Sequence, residues 1–183
     1  TNDTSKFMQL VWDGAASKIW IDNLYFYNEP GSAPIAAPAA PTAAAADVVS
    51  VYSDSYTDVN VSEWNPNWGQ TTTLETVTIA DNSFLKYSNL NYSGLVTNYD
   101  PGTDISGMNY VHFDYWTNDA TKLGLKLVNT AYENNDEGKK EALVSVPSIV
   151  KGGWVSVDIP LSEYTNDASK FMQLVWDLSL IHI

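Results

Sequence analysis

The chain has 183 residues, 44% of them hydrophobic and 13% aromatic, enough for one core-forming domain with flanking segments. Its nine basic residues are all Lys and face 22 acidic ones; the formal net charge of −13 repels phosphate backbones and anionic membrane surfaces, so neither nucleic acid nor a membrane is an expected partner. Cys is absent, which excludes disulfides, thiolate zinc sites and Cys nucleophiles, and no apolar run reaches the ~18 residues that a membrane-spanning helix needs.

The first element along the chain is half of a repeat. Residues 1–13 read TNDTSKFMQLVWD and residues 165–177 read TNDASKFMQLVWD, differing only at Thr4 against Ala168. Two copies of one module are therefore represented. After the first copy comes GAASKIWIDNLYFYNEP; after the second comes LSLIHI, which resembles nothing at that place in the first. Residues 1–28 thus read as the C-terminal strands of a preceding repeat, and residues 178–183 as a non-native tail. Residues 29–46 are rich in Pro and Ala, a composition that makes an extended, semi-rigid linker. Residues 47–177 then form a β-sandwich lacking its native last strand. The equivalent strand, residues 18–27, is expected to dock into that gap. It would do so within the chain, as a circular permutation, or between chains, as a strand-swapped homodimer; a linker of about 18 residues reaches ~60 Å when extended.

Within the module, β-branched or alternating segments predict strands at 48–52, 71–79, 84–87, 111–116, 123–128, 142–146, 154–159 and 171–176, with 19–27 closing the set. Asn-Pro-Asn, Asp-Pro-Gly, Ser-Gly and Gly-Gly mark turns, and a polar loop spans 129–141. No window carries a helical stripe. Short strands at this spacing indicate an all-β, antiparallel β-sandwich.

Two segments carry the functional argument. Glu63-Trp64-Asn65-Pro66-Asn67-Trp68-Gly69-Gln70 sets two indoles among amides. In Tyr110-Val111-His112-Phe113-Asp114-Tyr115-Trp116, alternation puts Val111, Phe113 and Tyr115 on one face and His112, Asp114 and Trp116 on the other. A pyranose stacks its C–H face on indole and offers edge hydroxyls to Asn, Gln, Asp and His. Indoles in a sandwich are more often core than ligand, and Trp12, Trp154 and Trp176 fit core or edge packing. The candidates for ligand contact are Trp64, Trp68, His112, Asp114 and Trp116, with Tyr132 from the polar loop.

Taken together, ADVVSVYSDSYTDVNVSEWNPNWGQ, LKYSNLNYSG, GMNYVHFDYWTNDATKLGLKLVN, GGWVSVDIPLSEY and KIWIDNLYFYN resemble the carbohydrate-binding-type β-sandwich modules appended to secreted glycoside hydrolases of Bacteroidota, laminarinase-like β-glucanases among them. The resemblance covers residues 47–177 together with 1–28. It implies a jelly-roll sandwich, a secreted, extracellular location and non-catalytic binding of a neutral, β-glucan-like polysaccharide. It also implies a structural Ca²⁺ between the first and last strands: Ile21-Asp22-Asn23-Leu24 resembles the last-strand segment whose Asp is a ligand, with Asp54 its partner from the first strand and Asp13 and Asp177 as further oxygens. A strand-end Asp that caps a turn is the plainer reading of each. No Glu lies in a recognisable catalytic motif, and no catalytic residue is expected. The competing function is a structural or adhesion spacer repeat, in which the Trp residues are core.

Overall fold

The computed structural model describes residues 11, 14, 18, 20–26, 33–130 and 141–178. Among these residues nine strands carry the fold: β1 (Glu63–Trp64), β2 (Thr73–Ile79), β3 (Asn82–Ser88), β4 (Tyr92–Val96), β5 (Tyr110–Trp116), β6 (Gly124–Asn129), β7 (Glu141–Ser145), β8 (Trp154–Pro160) and β9 (Phe171–Asp177). Every ladder between them is antiparallel. Among the described residues the only helical turns are short 3₁₀ pieces at Ala45–Asp47, Leu161–Glu163 and Ala168–Lys170. The protein is all-β.

Five strands form one sheet in the order β1-β4-β9-β6-β7, while among the described residues β2 pairs only with β3 and β5 only with β8. Central β9 is buried along nearly its whole length, which its sequence Phe-Met-Gln-Leu-Val-Trp-Asp permits because both faces can be apolar. Register separates those faces. Leu95, Leu174 and Leu127 align across the sheet, as do Trp176 and Leu125. They form the main core cluster, against which Val111, Phe113 and Val157 of the β5–β8 pair close from the other layer. On the opposite face Val96, Val128, Met172 and Val175 form a second buried cluster, with Tyr92 against it. Met172 reaches that side because the β6–β9 register shifts between Val128 and Asn129. Each Leu buried in this way contributes roughly 1.5–3 kcal/mol.

The alternation expected of residues 111–116 is realised. Val111, Phe113 and Tyr115 face Ile159, Val157 and Val155, while His112, Asp114 and Trp116 pair with Asp158, Ser156 and Trp154. The β2–β3 hairpin turns on Ala80-Asp81, both at positive φ (50° and 63°), the type I′ geometry that matches strand twist.

Three expectations differ from what is observed. Residues 48–52 form no strand: their single bridge joins Ser50 to Asp58. Residues 20–26 carry no strand either and are exposed, Trp20 at 87% and Phe26 at 78%. Residues 19 and 27, which belong to the segment expected to dock, lie outside the described residues. Conversely β4 arises at Ser93-Gly94, a dipeptide read as a turn signal. Within the linker, the Ala36 carbonyl accepts from Trp154 Nε1 at 2.6 Å and the Ala43 carbonyl from the Tyr56 hydroxyl at 2.9 Å.

Candidate functional site

Trp64 lies on the edge strand β1, opposite Leu95 and hence on the side that faces the second layer. Among the described residues no strand lies beyond β1, and the indole is 39% exposed at the open rim between the layers. Tyr52 meets it edge-to-face, ring centroids 5.9 Å apart at 79°. Across the rim stand Leu74, Thr76 and Leu85 of the β2–β3 hairpin, with Asn65 and Glu75 at the margins; the cleft they enclose holds about 440 Å³. Burial and the nearby Asp54 carboxylate push the Tyr52 phenol above its ordinary pKa, so at neutral pH it is a hydroxyl that both donates and accepts. Glu75 is held by Lys86 at 2.6 Å in an exposed pair.

The amides expected to meet a ligand are spent on the loop itself. Asn65, at φ 48°, donates through Nδ2 to the Thr72 carbonyl. Its Oδ1 accepts from Gln70 Nε2 at 2.8 Å and from Ser93 Oγ at 2.7 Å. Gln70 Nε2 also reaches the Pro66 carbonyl, and Gln70 Oε1 accepts the Trp68 amide. The loop is thereby a fixed platform, with Asn67 Oδ1 closing it on Gly69.

Trp68 points elsewhere. Its ring lies on Gly94 of β4, where a Cβ would come within 2.4 Å of Cζ3, so it covers the outer face of the five-stranded sheet. The Tyr92 hydroxyl donates to the Trp68 carbonyl at 2.8 Å and pins the loop from below. Trp64 and Trp68, adjacent in the loop, thus serve opposite faces of one sheet.

His112, Asp114 and Trp116 are brought together, on the outer face of the β5–β8 pair and apart from the cleft. His112 Nδ1 lies 2.8 Å from Asp158 Oδ1 and its Nε2 3.8 Å from Asp114 Oδ2. Ser156 Oγ donates to Asp114 Oδ1 in a short bond. These groups satisfy one another. Trp116 sits opposite Trp154, which packs on Phe84 with ring centroids 5.2 Å apart. Tyr132 lies outside the described residues. Trp176 is core, edge-on to Phe113 at 4.9 Å.

The Asp54 carboxylate accepts the Ser83 amide at 2.8 Å, and Asp22 accepts the amide of the next residue, Asn23, at 2.7 Å. Among the described residues no three His, Cys, Asp or Glu side chains gather where they could share a metal ion. Asp13, expected as a further oxygen, lies outside the described residues.

Tyr52, Leu74 and Thr76 are the cleft residues that reading by segment missed. The alternation of β2 was a usable signal for Leu74 and Thr76, since it puts them on one face; which strand edge lies opposite them is a tertiary fact. No family model matches the chain, and neither curated proteins nor solved structures offer one that does.

Proposed function

We propose that this chain is a non-catalytic polysaccharide-binding module of a secreted, multi-modular glycoside hydrolase, of jelly-roll topology, that takes a neutral β-glucan-like chain in the Trp64 cleft. The observation that carries the reading is the half-exposed indole of Trp64, buttressed by Tyr52, at the mouth of an opening large enough for a sugar unit. The indole supplies a stacking plane for the C–H face of the ring. Tyr52, Thr76 and Glu75 supply hydroxyl and carboxylate partners for its edge. The acidic surface suits an uncharged ligand. A structural Ca²⁺ shared by Asp54 and Asp22 belongs to this reading only when their two segments meet, and would show as a melting temperature that chelator lowers.

The test is affinity electrophoresis against laminarin, mixed-linkage glucan, xylan and mannan. One glycan should retard the parent, Trp64→Ala should abolish the retardation without changing the far-UV spectrum, and Trp68→Ala and Trp116→Ala should leave it. Loss in Trp116→Ala alone would move the site to the β5–β8 face. No retardation of a folded parent would favour the spacer function, to which the packing of Trp68, Trp154 and Trp176 also lends itself. Release of reducing ends would refute the non-catalytic reading.

A further inference from the structure

We infer that the opening between residues 59–62 and 97–103 is a second sugar subsite, in which the Asn60 and Asn98 amides and the Asp100 carboxylate hold hydroxyls of the same glycan chain that stacks on Trp64. This rests on the polysaccharide-binding reading of the Trp64 cleft and extends it along the sheet edge. The opening holds about 570 Å³, more than the Trp64 cleft. Ser62 lines one opening and Trp64 the other, two residues apart on the same edge, or about 7 Å of extended chain. Glu63 stands between them. It pairs with Val96 of the outer-face cluster, and its Oε1 accepts from the Tyr99 hydroxyl at 2.6 Å, which sets Tyr99 as a half-exposed ring at the margin of the second opening. Among the described residues no strand lies beyond β1, so a ligand can follow that edge from one opening to the other.

The two openings differ in what their polar groups are doing. Around Trp64 the amides of Asn65 and Gln70 are engaged in the loop. Here it is the hydroxyls that are engaged. Ser62 Oγ donates to the Val96 carbonyl at 3.0 Å, Thr97 Oγ1 to the Met172 carbonyl at 3.1 Å, and Thr103 Oγ1 to Thr97 Oγ1 at 3.4 Å. Asn60, Asn98 and Asp100 are exposed. Among the described residues the Asn60 amide and the Asp100 carboxylate make no side-chain hydrogen bond, and Asn98 uses only its Oδ1, which accepts the Asp100 amide at 3.3 Å. Two amides and one carboxylate offer both donors and acceptors, which is what a hydroxyl-bearing ring needs. Their backbones are fixed. Val59 N bonds the Ser50 carbonyl and Ser62 N the Val96 carbonyl, both at 2.8 Å, while Thr97 N reaches Met172 and Thr103 N reaches Phe171, at 2.9 and 2.7 Å. A ligand therefore meets groups whose main chain is already ordered.

The experiment titrates the full chain calorimetrically with the di- and hexasaccharides of laminarin, mixed-linkage glucan, xylan and mannan. A disaccharide fills the Trp64 cleft alone; a hexasaccharide reaches both openings. For the glycan that binds, the parent should hold the hexasaccharide at least ~10-fold more tightly than the disaccharide. Asn60→Ala and Asn98→Ala, at exposed positions where substitution barely touches stability, should each weaken the hexasaccharide ~3–10-fold and leave the disaccharide unchanged. Unchanged hexasaccharide binding in both variants, with Trp64→Ala still abolishing it, overturns the second subsite and leaves the Trp64 reading standing. Equal losses at both lengths overturn it as well, because the disaccharide would then sit in this opening. A folded parent that binds none of the oligosaccharides overturns the reading and the subsite together.

Discussion

Gly94→Ala is the most informative single change. The added methyl would stand 2.4 Å from Trp68 Cζ3, 2.5 Å from Cη2 and 3.3 Å from the Leu174 carbonyl oxygen. Real carbon contacts begin near 3.5 Å, so either the indole or the strand must move. The strand is fixed on both sides, by β1 and β9, and the indole is fixed at its own backbone by Gln70 and Tyr92. Overpacking of this kind costs about 1–3 kcal/mol. For a chain of this length that is a fall in melting temperature of about 2–12 °C. The assay is thermal and urea denaturation of Gly94→Ala, Trp68→Ala and the double variant. Without the indole only the 3.3 Å contact with Leu174 remains, and replacing Gly by Ala lowers the entropy of the unfolded chain. Gly94→Ala should therefore be neutral, or stabilising by a few tenths of a kcal/mol, in the Trp68→Ala background. The coupling between the two sites is then about 1–3 kcal/mol. A Gly94→Ala variant as stable as the parent, or one equally costly in both backgrounds, would refute the placement of Trp68 on β4.

Burial pushes the Tyr87 phenol from 10.0 up to about 12. A group whose folded pKa is raised contributes stability below its unfolded pKa and loses it as pH climbs through the folded one, so urea stability should decline between pH 10 and 12 by about 2–3 kcal/mol, and Tyr87→Phe should remove that share of the slope. Ala80→Asn places a side chain tolerant of positive φ in the I′ turn and should stabilise by about 0.5–1 kcal/mol in urea; destabilisation would contradict the turn type. Trp154→Phe keeps the ring against Phe84 but loses the bond to Ala36, so residues 33–46 should be cleaved faster in limited proteolysis while the melting temperature changes little.

What could be read from the sequence was local. The period-two pattern of residues 110–116 placed Phe113 inward and His112 outward without any knowledge of β8, because alternation is a property of one strand. Seven of the expected strands appear for the same reason. β4 is not visible in the sequence because its Gly94 serves a contact from elsewhere in the chain: the residue is small to admit the Trp68 indole, and locally it reads as a turn. Residues 48–52 show the reverse. They have strand composition, but a strand is a relation between two segments, and among the described residues they make only the Ser50–Asp58 bridge. At the candidate site, Trp64 and Trp68 were indistinguishable in sequence, both flanked by amides. They part company because Trp64 ends an edge strand while Trp68 folds back over β4, and the amides between them hold the loop.

The bond between Trp154 and Ala36 moves the point at which the chain leaves its body. A Pro/Ala tether would ordinarily swivel where it meets the first residue of the folded part, at Asp47. Here the stretch from Ala36 to Asp47 is tied down at Ala36 and again at Ala43, so the pivot lies at Trp154 and about 36 Å of contour no longer contributes to reach. Anything attached before Ala36 sweeps a smaller volume, and encounters whatever this body is bound to at a correspondingly higher effective concentration.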